Sequence, residues 1–418
     1  MNLRTVMILG ALSAFGPLAI DFYLPAFPAM AQAFATDERQ IQTTLAVYFL
    51  GLQLAYGPAA DRFGRRKPLL FGVGLFTLAS LACAYAPNLQ TLVMARFVQA
   101  LGGCAGMVLS RAIVSDKCDA VASAKVFSQL MLVMGLAPIL APMLGGALVN
   151  VAGWQSIFLS LSLFSAAALL AVVLGLPESL PAHVPRQPLS GALRQYLRLA
   201  RDPLFIGHAL TGGVAIAGMF AYIAGSPFVF IKLYGVPAEH YGWLFGINAA
   251  GFILVAQFNA RLLSRRPPGW LLVRAVWVYL LAGLALLMVS ALHPAALWPL
   301  LLPLFVCIAS LGCIIPNASA CAMNGQGARA GSASALLGCL QFSVAAMAAA
   351  LVGVLHDGSA VPMSLVISLC GLLVVSVALL TRRPGEGACM RLWGAFRRAC
   401  SEATKARAST SLRNPTTC

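Results

Sequence analysis

Asp21 and Arg96 stand inside long apolar stretches, where an ionised side chain costs roughly 2.5–3.5 kcal/mol on insertion scales. A carboxylate in such a place is a functional candidate by default, because it can take up and release a proton. Burial favours its neutral form and a nearby arginine favours its charged form. Counted from the same end of their stretches, Asp21 lies about 12 Å deep and Arg96 about 8 Å. Those similar depths predict an ion pair in which Asp21 carries the coupling proton and Arg96 tunes it. The plainer reading of the same pair is a fixed structural bridge.

A second cluster is Gly57-Pro-Ala-Ala-Asp61-Arg62-Phe-Gly64-Arg65-Arg66-Lys-Pro68. Gly57 and Gly64 permit close approach and a tight turn. Asp61 is suited to pairing with the arginines or to sitting on a neighbouring helix N-terminus. Asp116, together with Arg111 and Asp119, closes another apolar stretch and is placed to join it, giving a charged latch. A third cluster is Gly135, Pro138, Pro142, Gly145 and Gly146, where prolines bend a helix and glycines admit a close neighbour. Tyr23, Tyr48, Gln99, Tyr222, Asn248, Asn317 and Gln341 are candidates to line a central cavity. They form an aromatic, weakly polar set suited to amphipathic ligands. Each is equally an ordinary helix–helix hydrogen bonder.

The elements that must hold these residues follow from composition. Of 418 residues 60% are hydrophobic and only 10% charged, whereas soluble domains carry about 25% charge. Lipid is therefore the main solvent. About 20 apolar residues cross a bilayer as a helix. Twelve such spans are expected, near 6–29, 41–60, 68–86, 91–113, 126–149, 154–176, 204–230, 241–262, 269–291, 295–322, 332–355 and 361–380. Backbone groups in lipid need internal partners, so the spans are helices. The alternating pattern of a β-barrel is missing.

Charge orients the chain. The short loops on the N-terminal side hold Arg62, Arg65, Arg66, Lys67, Lys117, Lys125, Arg261, Arg265, Arg266 and Arg329, while those opposite hold Arg39 and Lys232. The positive-inside rule then puts both termini in the cytoplasm. The net charge of +16 is topology on this reading and not a nucleic-acid footprint. The first apolar stretch is too long for a signal peptide and carries Asp21, Pro17, Pro25 and Pro28, so it is expected to be an uncleaved helix. The eleven cysteines are scattered without a Cys-x-x-Cys pair and read as packing residues.

A hydrophilic stretch, Pro177–Pro203, divides six spans from six. Across it lies a repeat: Ala60, Arg65, Arg66 and Pro68 recur in register as Ala260, Arg265, Arg266 and Pro268. The expected organisation is a bundle over 1–176, a linker over 177–203, a second bundle over 204–380 and a basic tail over 381–418.

The Gly57–Pro68 segment resembles the signature loop of the major facilitator superfamily. Asp21-Phe-Tyr-Leu-Pro25 resembles an element of its bicyclomycin and chloramphenicol exporters. Arg96-Phe-Val-Gln99-Ala-Leu-Gly102 resembles the family's fourth-helix region. Gly135–Gly146 resembles its antiporter motif. Ala100 and Ala141 stand where the patterns have glycine, and Ser115 where they have arginine. The resemblance covers about residues 5–380. It implies an all-α integral membrane protein of twelve transmembrane helices in two pseudo-symmetric six-helix bundles. The implied function is proton-coupled export of small drug-like molecules across the inner membrane; the alternative is import of a small nutrient. The expected partners are substrate, protons and lipid, with no nucleic acid, no cofactor, no metal, and a monomeric chain.

Other classes fit poorly. A phosphate-binding Gly-x-x-x-x-Gly-Lys-Ser/Thr loop is missing, as are a serine elbow and His-Glu-x-x-His. The five histidines are far apart, and no selectivity-filter pattern stands out.

Overall fold

Three helix starts are capped by short polar side chains. Asn88 accepts from Thr91 N (2.8 Å), Asp119 from Ala122 N (2.7 Å), and Asp202 from Leu204 N (3.0 Å) and Phe205 N (3.3 Å). Each satisfies N–H groups that a helix start leaves open. Pro203 follows Asp202 at the first helical position, where its missing N–H costs nothing. Gly153, at φ 73°, ends the longest helix.

The structure, a computed structural model, describes residues 1–36, 41, 44, 53–180, 191–292 and 294–380. In chain order the helices are α1 (Leu3–Ser13), α2 (Phe15–Asp21), α3 (Phe27–Ala33), α4 (Gln53–Phe63), α5 (Arg66–Ala84), α6 (Leu89–Lys117), α7 (Ala120–Ala152) and α8 (Gln155–Gly175). They continue with α9 (Ala192–Ala200), α10 (Pro203–Pro227), α11 (Ala238–Leu262), α12 (Pro268–Ala291), α13 (Trp298–Met323), α14 (Ala330–Val354) and α15 (Val361–Leu380). Among the described residues 11 segments are long and apolar enough to span a membrane. They match the expected spans in order, except that the first ends at Asp21 and that half of the second, 41–60, falls outside the described residues; α4 is its described end.

Two expectations need correction. The first span is broken where a single helix over 6–29 was expected. Pro17 has no N–H to offer the Ser13 carbonyl, and α1 gives way to α2 there. A 3₁₀ turn, Leu24–Ala26, then contains Pro25 and separates α2 from α3. The linker, expected only as a hydrophilic connection, contains the helix α9. Tyr48, residues 181–190 and the tail lie outside the described residues.

Residues Met1–Ala378 form one compact unit. It holds a core drawn mainly from α1–α8, with Phe15 stacked on Phe76 at 4.8 Å, and another drawn mainly from α10–α15, where Tyr222 stacks on Phe245 at 5.7 Å. Large apolar side chains such as Met143, Val151, Leu163 and Trp243 stay exposed, as lipid-facing positions must.

Candidate functional site

Asp61 ends α4 and Arg65 precedes α5, four residues on and on the same side. Arg65 Nη1 donates to Asp61 Oδ1 at 2.5 Å. Its Nε and Nη2 donate to Asp116 Oδ2 (2.9 Å) and Oδ1 (3.3 Å), a two-pronged contact that fixes α6 to the loop. Asp61 also caps the start of α14. Gly331 N donates to Oδ1 (2.9 Å), Ser332 N to Oδ2 (2.9 Å), and the Ser332 hydroxyl to Oδ2 (2.5 Å). One carboxylate therefore joins an arginine of the first half to a helix N-terminus of the second. Asp61 and Arg65 are fully buried.

The backbone makes room for this. A Cβ on Gly57 would meet Ser332 Cα and Tyr196 Oη, each at 2.8 Å; one on Gly331 would meet Gly57 O at 2.6 Å. Gly64 is doubly constrained. Its φ is 88°, and a Cβ would meet the Glu178 carboxylate at 2.5 Å.

Glu178 is a member of the cluster that motif reading passed over. It accepts from Arg65 N (2.8 Å) and Arg66 N (3.1 Å), capping α5 from the end of α8. Partial burial works to raise its carboxyl. The N–H groups of Leu180, Arg65, Arg66 and Ser179 outweigh that and hold it below the ordinary carboxylate value. Ser179 Oγ donates to Asp116 Oδ2 at 3.1 Å. From the linker, Gln195 Oε1 lies 3.1 Å from Ser332 Oγ, and Tyr196 Oη donates to Leu54 O at 2.5 Å. The signal available for Glu178 was an acid just past a helix end; for Gln195 and Tyr196 there was none.

Three expected latch members stand apart. Arg62 is exposed, because a helix turns about 100° per residue and carries position 62 off the face of Asp61 and Arg65. Asp119 caps α7 instead. Arg111 makes no hydrogen bond to the cluster among the described residues. Ser115, where the family pattern has arginine, donates to Met323 O at 3.1 Å and ties α6 to α13.

The ion pair expected between Asp21 and Arg96 is not formed. Arg96 is fully buried, with Nη1 donating to Gln99 Oε1 (2.7 Å) and Nη2 to Ala19 O (3.1 Å), and its guanidinium 4.4 Å from the centre of the Tyr23 ring. Gln99 Nε2 in turn donates to Ser80 Oγ at 2.7 Å, and Tyr23 Oη lies 2.6 Å from Thr44 Oγ1. Depth was a fair guide, but rotation decided the outcome. Ala19 is buried, and Asp21, two residues and about 200° further round, points elsewhere. Among the described residues the ion pairs are those of Arg65, and Asp21 is partly accessible with neither a hydrogen bond nor an ion pair.

The glycine-rich α7 touches both regions. A Cβ on Gly135 would meet Ile253 of α11 at 2.5 Å, so the two halves cross closely there. A Cβ on Gly145 would overlap the Phe22 carbonyl, and one on Gly146 would touch Pro25 at 3.8 Å. The C-terminal part of α7 therefore lies on the turn that follows Asp21. Pro138 and Pro142 sit within the continuous α7.

The described residues expected to line a cavity lie in the interior. Tyr23, Gln99, Tyr222, Asn248, Asn317 and Gln341 are all buried. Tyr23 and Gln99 belong to the Arg96 network. Asn248 Nδ2 donates to Tyr222 Oη (3.2 Å), and Asn317 Nδ2 to Asn259 Oδ1 (2.8 Å). Polar side chains in helices surrounded by lipid pair where they can, while Gln341 and the Oδ1 atoms of Asn248 and Asn317 have no hydrogen-bond partner among the described residues. Among the described residues no group of three metal-ligating side chains gathers.

Residues 7–350 match the family model described as Major Facilitator Superfamily. An MFS-type transporter of Bacillus subtilis, YdgK, is 38% identical over 373 residues, covering 87% of this chain and 91% of the relative. The bicyclomycin resistance protein homolog of Haemophilus influenzae is 30% identical over 377 residues, 89% of this chain and 94% of that one. Multidrug resistance protein D of Escherichia coli is 29% identical over 391 residues, 92% and 98% of the two chains. Among solved structures, the E. coli fucose:proton symporter FucP superposes with a TM-score of 0.75 over 91% of this chain and 99% of that one, at 16% identity.

Proposed function

Because the chain belongs to the major facilitator superfamily, we propose that it is a proton-coupled exporter that moves small amphipathic molecules out across the inner membrane by alternating access. The observation that carries this reading is Asp21. It is a carboxylate in a membrane-spanning segment, partly accessible and free of any ion pair among the described residues. A carboxylate fixed by an arginine would stay charged, whereas an unpaired one can exchange a proton in each cycle. Gly145 and Gly146 of α7 lie against Phe22 and Pro25, one and four residues beyond Asp21, so movement of α7 is passed to the backbone next to Asp21. The same helix crosses α11 at Gly135 and thereby links the proton site to the contact between halves.

Two relatives are named for bicyclomycin resistance and multidrug resistance, which favours export over nutrient import. Asp61, Arg65, Asp116, Gly331 and Ser332 serve as the gate, closed here and opening as the halves rock. Arg96, with Gln99 and Tyr23, positions the first span rather than tuning Asp21 through an ion pair. The two bundles are 1–176 and 204–380, joined through a cytoplasmic linker, with both termini in the cytoplasm and the chain acting as a monomer. Everted vesicles with a pH-sensitive dye test the reading. Addition of a transported drug should dissipate an imposed proton gradient. A gradient left unchanged by every member of an amphipathic antibiotic panel, at confirmed protein levels, would sink it.

A further inference from the structure

The linker helix α9 has two faces of different character. Its inner face belongs to the gate region: Gln195 reaches Ser332, Tyr196 bonds the Leu54 carbonyl, and Leu199 is buried against Phe205, Ala330 and Ala333. The outer face carries Leu193, Arg194, Leu197 and Arg198, continued by Arg201, at the i, i+1, i+4, i+5, i+8 spacing of one helical stripe. These five residues line a shallow cleft of about 560 Å³. Leu193 is 72% exposed and Leu197 48%. Among the described residues none of the three arginines meets an acid, and the nearest one in sequence, Asp202, is engaged in capping α10.

We propose that this outer face lies on the membrane surface and binds anionic phospholipid headgroups, with Leu193 and Leu197 entering the boundary of the acyl chains. Three observations carry it. First, α9 ends at Ala200 and the membrane-spanning α10 begins at Pro203, so the helix must sit at headgroup level. Second, leucines mixed with arginines on one exposed stripe match both layers of that boundary, apolar chains and negative phosphates. Third, the parts of this chain next to the linker and after α15, residues 181–190 and 381–418, hold nine basic residues against two acidic ones and do not complement three arginines. The inner face of the same helix holds Ser332 and the carbonyl of Leu54, which fixes the outer face relative to the spans.

The test places a diazirine amino acid at position 197 of the full chain, reconstituted in phosphatidylcholine vesicles with a minor share of phosphatidylglycerol. Illumination should give lipid adducts in which phosphatidylglycerol exceeds its mole fraction, by roughly fivefold for each arginine engaged. The R194Q/R198Q/R201Q variant should keep the lipid adducts and lose the enrichment, and R194K/R198K/R201K should retain it. Adducts at the bulk lipid ratio in the parent chain would overturn the proposal. So would quenching by water alone, adducts to peptides from 381–418, or loss of enrichment in the lysine variant.

Discussion

On the side of the molecule that carries the basic loops, two junctions tie the first six spans to the last six. In one, Asp61 of α4 grips Arg65 and the start of α14. In the other, Asn259 of α11 donates to Ser128 Oγ of α7 (2.9 Å) and accepts from Asn317 Nδ2 (2.8 Å), while Gln257 Nε2 donates to Ser128 O (2.9 Å). The internal repeat relates the two: α4 and α11 lead into the loops that share Ala60/Ala260, Arg65/Arg265 and Pro68/Pro268. Yet Arg65 is fully buried and Arg265 is exposed. Asp61 is matched by Arg261 in the repeat, and Asp116 of α6 takes two further donors of Arg65. With an acid there, the loop arginine is drawn in and the junction is charged. Without one the arginines stay in water, and the neighbouring amide makes a neutral junction. The repeat supplies the place for a junction between the halves, and the acid makes it a charged one.

That contrast predicts a ranking. Asp61→Asn removes the charge that Arg65 and two N–H groups share. Charge-assisted hydrogen bonds contribute about 1.5–3 kcal/mol, so gate opening should become easier by on the order of a hundredfold. Amide exchange over the first turn of α14 reads this directly, and transport should be impaired at unchanged protein levels. Exchange no faster than in the parent chain would remove Asp61 from the gate. Asn259→Ala loses only neutral bonds of about 1 kcal/mol, so exchange near Ser128 should rise by roughly fivefold. An effect equal to that of Asp61→Asn would erase the distinction between the junctions.

Glu178→Gln should have the smallest effect, below about twofold, because the group is open to solvent and exposed charge contacts are screened. Its folded pKa is depressed below the ordinary 4.5, so its contribution is complete above that pH and lost as pH falls through the folded value. Protection of the Arg65 and Arg66 amides, corrected for intrinsic exchange, should therefore be flat at neutral pH and fall only under acid conditions. The Gln variant should lack that step. A step near neutrality would mean that another group controls the clasp.

The parts of this arrangement that could be read from the sequence are those set by composition and by contiguity. Spans follow from apolar length, and Gly57, Asp61, Gly64 and Arg65 lie within one short segment, so their meeting needs no knowledge of tertiary structure. Asp116 was also reachable, as an acid at the end of α6. Partners brought together by packing were not. Ser332 is 271 residues from Asp61, and nothing in its neighbours marks it. The Asp21–Arg96 expectation failed because depth along a helix is readable and rotation about it is not, once Pro17 and Pro25 interrupt the first span. That Asn317 Nδ2 bonds Asn259 was not legible either, since it depends on which helices touch.

The central claim is that Asp21 exchanges the coupling proton while Arg96 serves the structure of the first span. Substrate-induced proton release from purified protein in detergent, at equal protein and saturating drug, tests it most directly. Asp21→Asn keeps the shape and hydrogen-bonding capacity of the side chain but cannot titrate near neutral pH. The account predicts that this variant binds drug and releases no proton, whereas Arg96→Gln lowers the yield of folded protein and leaves release per folded molecule intact. Release at the parent level from Asp21→Asn would contradict it.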